Sequence, residues 1–149
     1  MPAPLVVDAS LTVRLLLPAP EQSSLQGLVS RWLQEGYTLC VPALWLYETT
    51  SALCKVVRWG ELTPEEGEQA LELAQTLPVQ LVAPDSEQAR RAYDWTLRLN
   101  RAAAYDSFYL ALAEWLQCDL WTMDRRLHNA VNLPWVRWGG TPSVESIIS

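Results

Sequence analysis

The sequence has few of the residues on which several kinds of catalytic site depend. Its 149 residues include a single histidine, His128, which argues against a zinc site or a hydrolase with a histidine base. The three cysteines form no CxxC pair and lie in apolar stretches: Cys40, Cys54 and Cys118. We expect them to be small core residues in a reducing compartment rather than metal ligands.

Positive charge and long apolar runs are also scarce. The formal net charge is −6, and Lys55 is the one lysine beside ten arginines. That balance argues against holding nucleic acid by bulk electrostatics, although it allows an enzyme that meets phosphates locally through metal ions. No apolar run reaches the roughly 18 residues of a membrane span, and the opening residues, MPAPLVVDAS, lack the basic segment of a signal peptide. We expect a cytoplasmic protein with no membrane partner.

The sequence does contain a regular alternation of strand-like and helix-like segments. Hydrophobic residues make up 50% of the chain, and its length suits a single domain over residues 1–149 with a core of its own. The alternation predicts an α/β fold, with a parallel sheet of about five strands flanked by helices on both faces. In such sheets, sites lie at the carboxyl ends of the strands.

Boundary signals delimit the predicted elements. Pro42 suits the first turn of a helix, and Thr63, Pro64 and Glu66 form the pattern of a helix start with a capping box. The predicted strands are 5–7, 38–41, 79–83, 119–122 and 136–138. The predicted helices are 10–17, 21–35, 42–59, 63–77, 85–99 and 103–117, with a short one after Asp124.

Two predicted strands end near an acid. The apolar run at residues 5–7 leads directly into Asp8, and the strand that includes LWT is followed two residues later by Asp124. Either acid could simply cap the helix that follows it, a common role for aspartate. Because the carboxyl ends of parallel strands meet at one edge of a sheet, we also expect both acids on that edge.

Two further acids lie in predicted helices that are mainly apolar. Glu48 lies in PALWLYETTSALCKVV, and Asp106 lies in AAAYDSFYLALAEWL, where it shares a helical face with Tyr109. Glu48 could instead point out of an imperfect apolar stripe, and Asp106 could pair with a nearby arginine such as Arg101. By contrast, the acids crowded into residues 61–72 belong to a polar helix and are expected to be solvated.

Four acids that converge cannot all stay ionised without partners. Two carboxylates about 4 Å apart repel by roughly 4 kcal/mol at an effective dielectric constant near 20. Protons or cations must offset that repulsion, and ligands that are all oxygen favour a hard ion, Mg²⁺ or Mn²⁺. Such sites serve phosphoryl chemistry, in which the metal positions the phosphate and activates water.

Together these residues resemble the PIN-domain ribonucleases, in particular the VapC toxins of bacterial and archaeal toxin–antitoxin pairs. The resemblance rests on VVDAS, YETTSAL, YDSFYLALAEWL and LWTMDRRL, and it extends over about residues 5–138. The order and spacing are family-like, with 40 residues from Asp8 to Glu48, 58 more to Asp106 and 18 more to Asp124.

The resemblance implies a Mg²⁺- or Mn²⁺-dependent endoribonuclease on a Rossmann-like sheet. Its substrates would be structured RNAs such as tRNA or rRNA, cut by a metal-activated water to leave a 5′-phosphate and a 3′-hydroxyl. It also implies two protein partners, a cognate antitoxin that wraps the toxin and blocks the site, and a second copy in a homodimer.

The same resemblance implies roles for the acids. Asp8 and Asp106 would be the main metal ligands. Glu48 and Asp124 would complete the acidic pocket, directly or through water.

It also implies supporting roles for neighbouring polar residues. Ser10 and Thr122 would hydrogen-bond to these carboxylates or to the waters of the metal. Ser51 stands where relatives often carry asparagine, three positions after the helical acid, and would support the pocket there. Arg125 and Arg126 are candidates for phosphate contact, although both could equally be solvated helix arginines.

Six of the eight tryptophans divide by their sequence context. Three lie in apolar runs and are expected in the core: Trp45, Trp115 and Trp121. Three others lie near helix ends or polar faces, and some of these are candidates for a dimer or antitoxin surface: Trp32, Trp59 and Trp95.

The sequence leaves three alternative functions open. A haloacid-dehalogenase-like phosphatase needs the motif DxDx(T/V), and DASLT at residues 8–12 lacks the second acid. A degenerate PIN-like domain could serve as a non-catalytic scaffold, which metal titration would distinguish. A DNA-directed nuclease could use the same pocket, which a comparison of RNA with DNA oligonucleotides would reveal.

Overall fold

The computed structural model describes residues 3–101 and 103–140. The described strands are β1 (Pro4–Val7), β2 (Thr38–Pro42), β3 (Val79–Val82), β4 (Leu120–Thr122) and β5 (Val136–Trp138). The described helices are α1 (Ala9–Leu16), α2 (Gln22–Gln34), α3 (Leu44–Arg58), α4 (Pro64–Thr76), α5 (Ser86–Arg98), α6 (Tyr105–Leu116) and α7 (Arg125–Val131). The expected single domain over residues 1–149 extends beyond the described residues.

The five described strands form one parallel sheet in the order β3-β2-β1-β4-β5. The chain moves outward from β1 to β3 through α1 to α4, then returns to β4 and β5 through α5 to α7. Because crossovers between parallel strands are right-handed, these two directions place the two sets of helices on opposite faces. The predicted fold class is confirmed, and the direction reverses between β1 and β4, the position at which sheets of this kind usually bind ligands.

The core lies along the central strands and α6. Val6 in β1 and Leu120 in β4 are fully buried, as are the α6 residues Leu110 to Ala113. The α6 helix contacts β1, β2 and β4, which explains why its sequence is apolar nearly all round. Asp106 lies in the first turn of this helix.

The predicted boundaries agree with the structure to within two residues. The capping box of α4 is present, since Thr63 Oγ1 accepts the Glu66 N–H at 3.1 Å and Glu66 Oε1 accepts the Thr63 N–H at 2.9 Å. The interpretation of Pro42 as part of a helix turn was wrong. Pro42 ends β2, because pairing with β3 continues until the Ala43 N–H donates to the Val82 carbonyl at 3.1 Å.

Several predictions about burial need correction. Trp115 was expected in the core but is 46% exposed, while Trp45 is buried as predicted. Trp95 is only 3% exposed although its surroundings in the sequence are polar, because α5 packs against α6. Its ring N–H is satisfied there by Glu114 Oε1 at 2.7 Å.

Packing also decides the exposure of three more tryptophans. Trp32 is also buried, and its ring centroid lies 5.0 Å from that of the partly buried Trp121. Of the three surface candidates, Trp59 alone is exposed.

Among the cysteines, Cys40 is buried as expected but Cys54 is exposed. No helix in residues 3–101 and 103–140 is both long and apolar enough to span a membrane.

Candidate active site

Asp8 occupies the carboxyl end of β1 and caps α1. Its Oδ1 accepts the Ser10 hydroxyl at 2.7 Å and the Leu11 N–H at 3.0 Å. Burial raises the pKa of Asp8 to about 6, although hydrogen bonds from Ser10, Thr122 and Leu11 lower it, and the charge of Asp106 adds to the rise. Asp8 therefore does cap α1, which is the alternative role considered from the sequence. Its ionised form is disfavoured by burial and by the charge of Asp106.

Asp124 follows β4 and caps α7, as Asp8 follows β1 and caps α1. Its Oδ1 accepts the Leu127 N–H at 3.1 Å, which caps α7, and its own N–H donates to Thr122 Oγ1 at 2.9 Å. Because β1 and β4 are hydrogen-bonded neighbours, Asp8 and Asp124 lie on one edge of the sheet, as predicted.

Two hydroxyls join the ends of these strands. The oxygens of Ser10 and Thr122 lie 3.2 Å apart, and the Met123 N–H donates to Ser10 Oγ at 3.0 Å. The Ser10 hydroxyl donates its hydrogen to Asp8, and Thr122 interacts with both Ser10 and Asp8. This network fixes the direction in which the Asp8 carboxylate points.

Glu48 reaches the site from α3 and is half-buried. Its Oε1 accepts the hydroxyl of Tyr109 at 2.7 Å. Burial raises the pKa of Glu48, the Tyr109 hydrogen bond lowers it, and the charge of Asp106 raises it. Sequence reasoning placed Tyr109 in a buried stripe and missed this contact, although its position three residues after Asp106 was the available signal.

Asp106 lies in the first turn of α6 and pairs with Arg101. The distance from Arg101 Nη1 to Asp106 Oδ2 is 3.2 Å, so the pairing considered from the sequence is present. Burial raises the pKa of Asp106, the Arg101 charge lowers it, and the Asp124 charge raises it. Asp106 therefore interacts electrostatically with each of the other three acids.

An open cavity of about 560 Å³ lies beside two of these acids, Asp106 and Asp124. Its lining includes two carboxylates and two guanidinium groups: Asp106, Asp124, Arg101 and Arg126. Arg125 points elsewhere, with its guanidinium carbon 4.6 Å from the ring centroid of Trp138. The structure thus separates the two arginines that the sequence paired as phosphate contacts.

Ser51 is not part of this arrangement. It is exposed on α3 and, within the described residues, makes no hydrogen bond to any of the four acids. The expected supporting role of Ser51 finds no basis in these contacts.

The donor set suits a hard divalent cation. All its charged groups are carboxylates, and three of them have raised pKa values because burial and neighbouring charges disfavour ionisation. No group of three or more His, Cys, Asp and Glu side chains in the described part of the chain is gathered closely enough to enclose a metal. An ion held by one or two carboxylates and completed by water, as is usual for Mg²⁺, fits this spacing.

Comparison with known proteins assigns the family. The model of the PIN domain matches residues 5–133, which include all four acids. This chain belongs to the PIN-domain family. The resemblance drawn from its motifs is therefore confirmed.

Individual PIN-domain proteins extend the comparison. Ribonuclease VapC3 of Pyrobaculum aerophilum is 34% identical over 124 residues, which is 83% of this chain and 91% of the relative. This chain is thus a homologue of the VapC ribonucleases.

Solved structures share the fold at low identity. VapC20 of Mycobacterium tuberculosis, a toxin that cleaves the sarcin-ricin loop, matches with a TM-score of 0.64 and 15% identity over 89% of this chain and 98% of its own. The VapBC2 complex of Rickettsia felis, bound to a DNA fragment from its promoter, matches with a TM-score of 0.66 and 12% identity over 91% and 96%.

Proposed function

We propose that this chain is a Mg²⁺- or Mn²⁺-dependent endoribonuclease that acts as the toxin of a toxin–antitoxin pair. The observation that carries the proposal is the 34% identity to a ribonuclease across 83% of the chain, in a fold whose paired strands β1 and β4 lead into Asp8 and Asp124. The raised pKa values of three of these acids support a site that requires a cation.

Each of the four acids has a proposed role at this site. Asp8 and Asp106 hold the cation, and Glu48 and Asp124 complete the pocket directly or through water. A bound cation would supply the charge that polarises a scissile phosphate and acidifies an attacking water. Ser10 orients the carboxylate of Asp8.

The surrounding groups supply substrate contacts. Arg126 lines the cavity beside Asp106 and Asp124, where it would bind a phosphate of the RNA backbone. Arg125, whose guanidinium lies over Trp138, would contribute less.

The biological partners belong to the same proposal. The substrate is a structured RNA such as tRNA or rRNA, a cognate antitoxin inhibits the enzyme, and the toxin forms a homodimer. The VapBC2 complex among similar structures supports the antitoxin. We place the protein in the cytoplasm, where unpaired cysteines such as the exposed Cys54 stay reduced.

Cleavage of a mixed tRNA and rRNA pool tests this function. Wild type is compared with Asp8→Asn, Asp106→Asn and a charge-matched control, Asp94→Asn, an exposed acid on α5. Each protein is incubated with Mg²⁺, Mn²⁺ or EDTA, and with single-stranded DNA of matched sequence.

We expect metal-dependent RNA cuts from wild type and Asp94→Asn, and none from the two site variants. Equal cutting by all four proteins would contradict the assigned acids. Preferential cutting of DNA would favour the DNA-directed nuclease. An absence of cuts together with an absence of Mn²⁺ binding would favour the scaffold.

A further inference from the structure

Arg101 lies at a defined point of the backbone beside the candidate active site. The α5 helix ends at Arg98, and Asn100 adopts a left-handed conformation with φ of 54°. The Arg101 N–H then donates to the Thr96 carbonyl at 3.0 Å, which is the closing hydrogen bond of a helix C-terminus. The backbone of Arg101 is therefore fixed, and its side chain is directed at Asp106.

The contact between these two side chains is one that a cation could displace. It joins one guanidinium nitrogen to one carboxylate oxygen at 3.2 Å, and the side chains of Arg101 and Asp106 are 28% and 46% exposed. Pairs that are partly exposed contribute little stability, unlike bidentate or buried pairs. A divalent cation on Asp106 would compete for the same oxygen and repel the guanidinium.

A displaced Arg101 would stay near the reacting groups. Its side chain lines the same cavity as Asp106, Asp124 and Arg126. A guanidinium presents several N–H donors in a planar fork that matches the oxygens of a phosphate. The cavity therefore offers a second position for Arg101 beside a bound RNA backbone.

We propose that Arg101 exchanges partners: it holds Asp106 when no cation is bound, and cation binding frees it to contact an RNA phosphate. This role rests on the proposed function of the four acids. It couples metal occupancy to the supply of a phosphate contact, so that substrate binds productively only to the metal-loaded site.

Isothermal titration calorimetry with Mn²⁺ in the absence of RNA tests whether the cation displaces Arg101 from Asp106. The variants are Arg101→Gln, Arg101→Lys and Arg98→Gln. The last removes the same charge three residues earlier, where the guanidinium lies 4.1 Å from the ring centroid of Trp95. Thermal unfolding of each variant checks that it folds.

We expect Arg101→Gln to bind Mn²⁺ roughly three- to tenfold more tightly than wild type, because its competitor is gone. Arg101→Lys and Arg98→Gln should bind close to wild type. In cleavage assays at saturating Mn²⁺, Arg101→Gln should raise KM for RNA severalfold, whereas Arg98→Gln should not.

Three results would overturn the role, and they point to different failures. Equal Mn²⁺ affinity in wild type and Arg101→Gln would remove Arg101 as a competitor while leaving the metal site intact. An absence of Mn²⁺ binding in every protein would remove the metal site and this role together. An unchanged KM in Arg101→Gln would overturn the phosphate contact.

Discussion

At the scale of single residues, two side chains that stabilise the fold also belong to the candidate site. Asp8 caps α1 and Asp124 caps α7, yet both carboxylates remain at the edge where Asp106 lies. The sequence could identify these acids because a carboxylate in an apolar context requires a partner. It could not identify the bond from Tyr109 to Glu48, because 61 residues separate the two and only the packing of α6 against the sheet brings them together.

Asp8 offers a direct test through pH. Its pKa is raised from 3.8 to about 6, so the ionised form is disfavoured in the folded state. The resulting loss of stability is absent below pH 4, develops as the pH rises to 6 and is complete above it. We expect Asp8→Asn, measured without metal, to raise the free energy of unfolding at pH 7.5 by about 2–3 kcal/mol and to change it little at pH 4.

Urea denaturation at the two pH values measures this difference. Asp94→Asn, which replaces an exposed acid, serves as the control and should show no such dependence. If Asp8→Asn were less stable than wild type at pH 7.5, ionisation of Asp8 would not be disfavoured in the metal-free fold.

Tyr109 should matter more for activity than for folding. We expect Tyr109→Phe to keep the buried ring while removing the hydroxyl that holds Glu48, and to lower kcat roughly tenfold. Tyr105→Phe, on an exposed tyrosine one helical turn earlier, is the matched control. Full activity in Tyr109→Phe would show that the orientation of Glu48 does not limit the reaction.

At the scale of elements, the site depends on the ends of β1 and β4 being held together. Most element boundaries could be predicted because caps and periodicity are local properties, as at Thr63 and Glu66. Pro42 could not be placed from local rules, since the pairing of β2 with β3 decides where that strand ends. The hydroxyl link between Ser10 and Thr122 likewise arises only from the neighbouring positions of two strands.

A double-mutant cycle tests this link. We expect Ser10→Ala and Thr122→Ala each to reduce the free energy of unfolding by about 1–3 kcal/mol, because each leaves polar groups without partners. The double variant should lose less than the sum, since the two hydroxyls share one hydrogen bond. Ser30→Ala, on an exposed serine of α2, is the control, and additive losses would contradict the link.

At the scale of the whole molecule, the chain direction reverses between β1 and β4, the two strands that lead into Asp8 and Asp124. The alternation of strands and helices was enough to predict this edge of the sheet. The choice between the two arginines after Asp124 was not predictable, because it depends on Trp138 packing beneath Arg125.

Cation binding should stabilise the entire fold. At a concentration of Mn²⁺ 100 times its Kd, a folded-state site adds about 2.7 kcal/mol, which for this chain length raises Tm by about 5–10 °C. The shift should shrink below pH 6, where protons compete for Asp8, and it should be lost in Asp106→Asn. A shift that is equal in Asp106→Asn would place the cation elsewhere.

Anomalous diffraction from crystals soaked in Mn²⁺ locates the cation itself. The proposed site predicts a peak within coordinating distance of carboxylate oxygens of Asp8 and Asp106, at the carboxyl edge of β1. A matched soak of Asp106→Asn crystals should lack that peak. A peak confined to the exposed acids of residues 61–72, with nothing near Asp8, would contradict the assignment of these carboxylates as the metal site.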